Sequence, residues 1–254
     1  MRLVSWNVNS LRARLPRVLE LLELHAPDVV CLQETKSEPG AFPDLPGYEN
    51  VHVSAGRWAG VAVLARRGLG LREAARGLPG EAAPDEARWA EADVGGMRVV
   101  SVYVPNGREV GSEAFAQKLT FLGAMAARVA ALRGTPLVVC GDMNVCPEDR
   151  DVYDPAAFSG ATHVTPQERA ALAAVREHGG LRDAFRVLHP EEPGFTWWDY
   201  RQGHFHRKLG LRIDHALVSD DLAAGLMSCG IDRSFRKGPK PSDHGPLLVE
   251  LAQP

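Results

Sequence analysis

Leu137-Val138-Val139-Cys140-Gly141-Asp142-Met143-Asn144 is the stretch from which the fold can be read. Four apolar residues, two of them β-branched, specify a strand buried on both faces, and Gly141 lets the backbone leave that strand close to whatever lies at its mouth. The period of two along an extended chain puts Asp142 and Asn144 on one side, a carboxylate and a carboxamide aimed at one point. Such a pair can position a water or hold part of a metal and phosphate assembly. Taken alone, Gly-Asp-x-Asn is equally good turn chemistry, because Asp and Asn bond their own backbone in Asx-turns. The rest of the chain decides between the two by repeating the pattern.

Arg2 to Trp6 reads as a short strand ending in Asn7-Val8-Asn9, and Val29 to Leu32 as a second buried strand followed by Gln33-Glu34-Thr35. Between them Leu11, Leu15, Val18, Leu19 and Leu22 recur at helical spacing, which predicts an amphipathic helix laid on a sheet. Gly60 to Leu64 and Arg98 to Val104 are further strands, the latter closed by the turn sequence Pro105-Asn106-Gly107, with Arg108 just beyond. Glycine, proline and scattered charges between Arg66 and Glu91 fit edge strands and loops. Ser112 caps a helix whose Phe115, Leu119, Leu122, Ala126 and Val129 share one face, and Thr165-Pro166-Gln167-Glu168 is a capping box with proline at the first helical position. Leu181 to Leu188, which carries Asp183, is expected to be helical. The strands over Ile213 to Ser219 and Leu247 to Leu251 begin, instead of ending, with polar groups: Asp214-His215 in one, Ser242-Asp243-His244 before the other. No repeat, low-complexity tract or linker interrupts the chain, so residues 1–254 are expected to form a single domain.

The composition, 45% hydrophobic and 24% charged over 254 residues, is that of a globular protein with a sizeable core. No apolar run approaches the ~20 residues of a membrane span, and because the residues from Arg2 already read as a strand, neither a signal region nor a regulatory tail is expected. A soluble, cytoplasmic monomer without membrane contact is expected. The net charge of −3 argues against a surface that is basic all over, so a polyanion would have to be held by a local patch. One segment offers it: Phe195-Thr196-Trp197-Trp198-Asp199-Tyr200 is rich in aromatics, and Arg201, Arg207, Lys208 and Arg212 follow with His204 and His206 and no acid up to Arg212. The tryptophans could equally pack into the core and the basic segment could be a solvated loop. Cys31, Cys140, Cys146 and Cys229 form no C-x-x-C pair and are read as reduced thiols, the first two in the core.

Asn7, Glu34 and Asp142 therefore lie at the carboxyl ends of three strands, and Asp214 and Asp243-His244 at the amino ends of two others. All of them share one rim if the last two strands run antiparallel to the first three. A rim of hard oxygen donors with one histidine has the make-up of a Mg²⁺ or Mn²⁺ phosphoesterase, whereas zinc would want ligand spacings that these cysteines and histidines lack. The ordinary reading of each residue, a turn asparagine or an exposed acid, gives no reason for them all to gather at strand ends.

Ser5-Trp6-Asn7-Val8-Asn9-Ser10-Leu11-Arg12, Leu32-Gln33-Glu34-Thr35-Lys36, Tyr103-Val104-Pro105-Asn106-Gly107, Gly141-Asp142-Met143-Asn144, Leu211-Arg212-Ile213-Asp214 and Ser242-Asp243-His244-Gly245-Pro246 together resemble the successive motifs of the exonuclease III family of abasic-site endonucleases, in the family's order and over essentially the whole chain. The resemblance implies a four-layer α/β sandwich, two packed mixed β-sheets flanked by helices, of the DNase I-like kind. It implies a metal-dependent hydrolase that cuts the DNA backbone 5′ to abasic sites by water attack, leaving a 3′-OH, with 3′-to-5′ exonuclease and 3′-end-cleaning activity on double-stranded DNA. In residues, it implies that Glu34 binds Mg²⁺ or Mn²⁺, with Asn9 close by and Asp243 supporting the metal side, and that a second metal at Asp142 and Asn144 is open. Asp142, oriented by Asn7, would align or deprotonate the attacking water. Asp214 would orient His244, and His244, Tyr103 and Asn144 would contact the scissile phosphate. Trp197 and Ile213 would line a pocket for a sugar without its base; Arg108, Trp198, Arg201 and Arg212 are candidates for the DNA groove. A same-fold phosphoesterase acting on inositol phosphates or a sphingolipid head group, and a non-catalytic DNA-binding module, are the alternatives.

Overall fold

In the computed structural model, which describes residues 1–252, the chain builds two six-stranded mixed sheets. In chain order the strands are β1 (Arg2–Asn7), β2 (Val29–Gln33), β3 (Tyr48–Val53), β4 (Val61–Arg66), β5 (Arg72–Arg76), β6 (Trp89–Val94), β7 (Met97–Tyr103), β8 (Leu137–Asp142), β9 (Leu181–Asp183), β10 (Asp214–Ser219), β11 (Leu226–Ile231) and β12 (Leu247–Leu251). One sheet runs β11-β12-β1-β2-β4-β3, the other β5-β6-β7-β8-β10-β9. The main helices are α1 (Leu11–His25), α2 (Glu113–Ala131) and α3 (Pro166–Gly179), followed by the short α4 (Ala184–Leu188) and α5 (His204–Arg207).

The layers follow from the two-residue period of buried strands. In β1, Val4 and Trp6 face outward and pack with Val18, Leu21 and Leu22 of α1, while Leu3 faces inward. The inward set, with Val29, Cys31 and Val63 from the first sheet and Val99, Val138, Cys140 and Ala216 from the second, forms the core between the sheets. On the far side Val100, Val102, Val139 and Leu217 meet Phe121, Leu122 and Met125 of α2 and Leu172 and Val175 of α3. Helix, sheet, sheet, helix are the four layers, and central strands buried on both faces are why β2, β4 and β8 read as unbroken apolar runs.

Caps fall where the sequence puts them. The side chain of Ser112 accepts a bond from the Phe115 N–H, and Thr165 with Glu168 forms a reciprocal capping box at the start of α3. One element differs: Leu181 to Asp183 is a strand and only Ala184 onward is helical, because Leu181 and Asp183 pair with Ser219 and Leu217 of β10. Gly141 is demanded by its neighbour strand as well as by the site. At its φ of +154°, a Cβ would sit 1.9 Å from the Val102 carbonyl oxygen.

Chain direction places the site. β1 and β2 are parallel, as are β7 and β8, while β12 runs antiparallel to β1 and β10 antiparallel to β8, with Asp214 opposite Asp142. The polar strand ends thus meet on one rim, across the seam between the sheets.

Candidate active site

Asn7 links the two halves of the rim. Its carboxamide has two hydrogens, and Nδ2 donates one bond to Glu34 Oε1 (2.8 Å), from the first sheet, and another to Asp142 Oδ2 (3.0 Å), from the second. Its own oxygen accepts from the Asn9 N–H at 3.0 Å, so the amide cannot flip without losing all of these bonds. Asp142 Oδ1 accepts from the Asn144 N–H (2.9 Å), the Asx geometry seen in the sequence, used here to aim a buried carboxylate. Asn144 sits in the left-handed region at φ +50°, as do Glu34 (+49°) and Asn9 (+44°). Such conformations persist where surrounding bonds over-determine them, and they cluster at functional sites.

His244 Nδ1 lies 2.8 Å from Asp214 Oδ2 and its Nε2 3.8 Å from Asp142 Oδ2. Burial disfavours the imidazolium, but the charge of Asp214 and its hydrogen bond, with Asp142 and Asp243 behind them, outweigh it and raise the His244 pKa to about 10. Asp142 moves up to about 7: burial is the main cause, the cation of His244 opposes it, and the charges of Asp214 and Glu34 reinforce it. Burial likewise raises the Tyr103 phenol, helped by Glu34 and Asp142, so this side chain remains a proton donor. Burial opposes the charged form of Asp243, yet His244, the Trp197 Nε1–H (3.0 Å) and the Asn9 Nδ2–H (3.1 Å) hold its carboxyl below the usual range.

Glu34, Asp142 and His244 each offer a ligand atom within 4.8 Å of the others, a tight set of metal-capable groups. Two carboxylates facing each other through Asn7 suit a hard divalent cation. Asn9 lies beside them, its Oδ1 accepting from Lys36 Nζ at 2.7 Å and its Nδ2 donating to Asp243. Asp243 is taken up by Trp197 and Asn9 and lies outside the tight set.

A small cavity of about 190 Å³ opens onto this cluster, lined by Glu34, Tyr103, Asp142 and His244 and walled by Trp197, Ile213, Leu211 and His163. It adjoins a wider groove of about 680 Å³ that runs past Lys36, Arg88, Trp58 and Arg108. Trp197 and Ile213 thus line the small cavity and Arg108 the wider groove. Trp198 and Arg212 reach neither. Trp198 is fully buried, edge-on to Phe205 and under Arg233, and Arg212 is 1% exposed, bonded to Asp151 and Asp183 at 2.7 Å each. A guanidinium so enclosed cannot meet a DNA phosphate. Arg201 is exposed but lies folded onto Asp199 at 2.7 Å.

Three contributors were not assigned a role from sequence. Lys36 Nζ pairs with Glu34 Oε2 at 2.8 Å, and its place two residues after Glu34 was a usable signal. His163 comes from an irregular loop with no pattern to mark it; burial lowers its pKa to about 4, so it is neutral, and its Nδ1–H donates to the Asn144 carbonyl at 2.6 Å. Lys118 is wholly buried beneath Asn144, and the signal was its position three residues after Phe115 on the apolar face of α2.

The model of the Endonuclease/Exonuclease/phosphatase family matches residues 4–244. The chain belongs to this family. Among its relatives, an exodeoxyribonuclease III from Haemophilus influenzae is 33% identical, the match covering 99% of this chain and all of that one. Two solved structures superpose over the full length of both chains: a 3′–5′ exonuclease (NExo) from Neisseria meningitidis, with a TM-score of 0.95 and 37% identity, and an AP endonuclease from Archaeoglobus fulgidus, with 0.94 and 34%. The same Neisseria protein, described as a 3′ phosphatase bound to a product DNA hairpin, matches with a TM-score of 0.94 and 38% identity. The DNase I-like sandwich of the family is the fold found here. Among the described residues, no helix is long and apolar enough to cross a membrane.

Proposed function

We propose that the chain is a Mg²⁺- or Mn²⁺-dependent DNA-repair hydrolase, which attacks phosphate esters of double-stranded DNA at abasic sites and at blocked 3′ ends. The observation that carries this reading is the Asn7-bridged pair of Glu34 and Asp142 facing an imidazolium backed by Asp214. Asp142, poised near neutral pH and fixed by two amide donors, is the group to orient and deprotonate a water. His244 as a cation, with the Tyr103 hydroxyl, would hold the phosphoryl oxygens and carry the charge that grows on them. Asn144 adds a dipole without adding negative charge. A divalent cation held by Glu34, with Asp142 within reach, would supply further positive charge to the phosphate and the departing oxygen.

Trp197, Ile213 and Leu211 give the small, otherwise polar cavity one apolar wall; it lies below the ~300 Å³ at which pockets for drug-sized ligands begin and suits a sugar that has lost its base. His163 lines the same cavity, and its imidazole would take room from an extruded sugar, which favours a second reading within this activity: end-processing, where a terminal phosphate needs no extruded sugar, over internal incision. The test uses two duplexes, one with an internal abasic analogue and one with a 3′-phosphate, each with Mg²⁺ or with EDTA. The proposal expects metal-dependent release on at least one, and the end-processing reading expects faster turnover of the 3′-phosphate. Absence of both products would defeat the proposal.

A further inference from the structure

Lys118 is a fully buried lysine that the chemistry above does not use. Its Nζ donates to the carbonyl oxygens of Asn144 (2.6 Å) and Asn106 (3.2 Å), approaches Thr162 Oγ1 at 3.4 Å, and pairs with Glu168, itself fully buried. Glu168 extends the connection: Oε1 accepts from the Thr162 hydroxyl (2.8 Å) and the His163 N–H (2.9 Å), and Oε2 from the Thr165 N–H (3.0 Å) and hydroxyl (2.7 Å). One ion pair between α2 and α3 thereby ties together the segments that deliver Asn106, Asn144 and His163 to the site.

Such a pair is a poor device for stability, because two charges must be stripped of water and an apolar pair of similar size often does as well. Its value lies in direction. Asn144 is held at φ +50°, and that conformation turns its carbonyl to the inside of the molecule, where Lys118 Nζ and His163 Nδ1 both reach it at 2.6 Å. On the other side the same residue gives its N–H to Asp142 Oδ1. Removing the inner bonds would leave an unfavourable backbone conformation and a buried carbonyl without its charged donor.

We propose that Lys118, paired with Glu168, is a positioning residue that locks the backbone of Asn144 and, through it, the aim of Asp142. The turnover arm of its test rests on the hydrolase reading; a second arm does not. Lys118→Met alone would strand the Glu168 carboxylate, so it is combined with Glu168→Gln, which keeps the acceptor of the capping box. The double variant is expected to melt within a few degrees of wild type. Its kcat on the preferred duplex should fall by about tenfold or more while KM changes by less than about twofold, and the same pair of changes placed on an Asp142→Asn background, where no carboxylate is left to aim, should cost less than about twofold. Hydrogen exchange should show the amides of residues 143–146 losing protection while those of β8 keep theirs. An equal loss on both backgrounds, or unchanged protection of residues 143–146, would overturn the proposal. If wild type cleaves neither duplex, the hydrolase reading fails and the exchange measurement alone decides the role of Lys118.

Discussion

Asp142 and Asp183 are both buried aspartates of the same sheet, on the two strands that flank β10, and their environments drive them in opposite directions. Burial raises both. Asp183 then meets the Arg212 guanidinium at 2.7 Å and His215, which together hold its carboxyl far below the ordinary range. Arg212 also binds Asp151, which Arg186 caps at 2.6 Å, so the cluster closes on itself with opposite charges in contact throughout. Asp142 receives only amide donors, shares the His244 cation with Asp214, and stays near neutrality. Equal burial therefore yields a structural fastening where the counter-charge is complete and a reactive group where it is deliberately short.

Asp142→Asn puts the comparison under the greatest stress. It should lower kcat by about 10⁴-fold, the upper end for loss of a general base, while leaving the melting temperature unchanged or higher, since a poorly compensated charge is removed. Single-turnover kinetics and a thermal melt on one preparation would check it, and normal turnover would remove Asp142 from its role. Arg212→Met tests the other side and should do the reverse. Leaving Asp151 and Asp183 buried without their counter-ion should cost about 3–5 kcal/mol in a urea melt, with turnover per folded molecule within about threefold of wild type. A selective loss of DNA affinity would return Arg212 to the substrate groove.

The smallest effect is a pair of opposite slopes against pH, measured without metal. Asp142, with a folded pKa of about 7 above an ordinary ~3.9, keeps a proton that the unfolded chain has released, so its contribution to stability falls as pH rises from about 4 to about 7. Asp183 is depressed in the folded state; its contribution is complete above the ordinary ~3.9 and is lost as pH drops toward the folded value. Asp142→Asn should flatten the first slope and Asp183→Asn the second in urea melts from pH 3 to 8. Slopes of the same sign would break the contrast.

What was legible in the sequence follows from where each residue gets its partners. Strands buried on both faces announce themselves as apolar runs, and polar groups at their ends located the rim. The edge strands were less sharp: β5, Arg-Glu-Ala-Ala-Arg and largely exposed, falls in the stretch read as edge strands and loops but could not be bounded there, and β11, with Met227 63% exposed to solvent, escaped, since neither carries a two-faced apolar signal. Arg212 was misplaced because its partners lie 61 and 29 residues away, which no local pattern encodes, and the aromatic run could not say that Trp197 faces a cavity while its neighbour Trp198 faces the core. His163 was invisible for the same reason, being brought to the pocket by a loop.

The bond pair made by the Asn7 carboxamide has a mechanical consequence. Glu34 rides on one sheet and Asp142 on the other, so their separation is a gauge of how the two sheets register, with Asn7 as a direct strut between the two carboxylates. A shift of a few tenths of an ångström in the inter-sheet core, at Cys31 or Val138 as much as beside the site, would be felt in the distance between Glu34 and Asp142. Catalytic rate in this sandwich should therefore report on packing many residues away, before stability does.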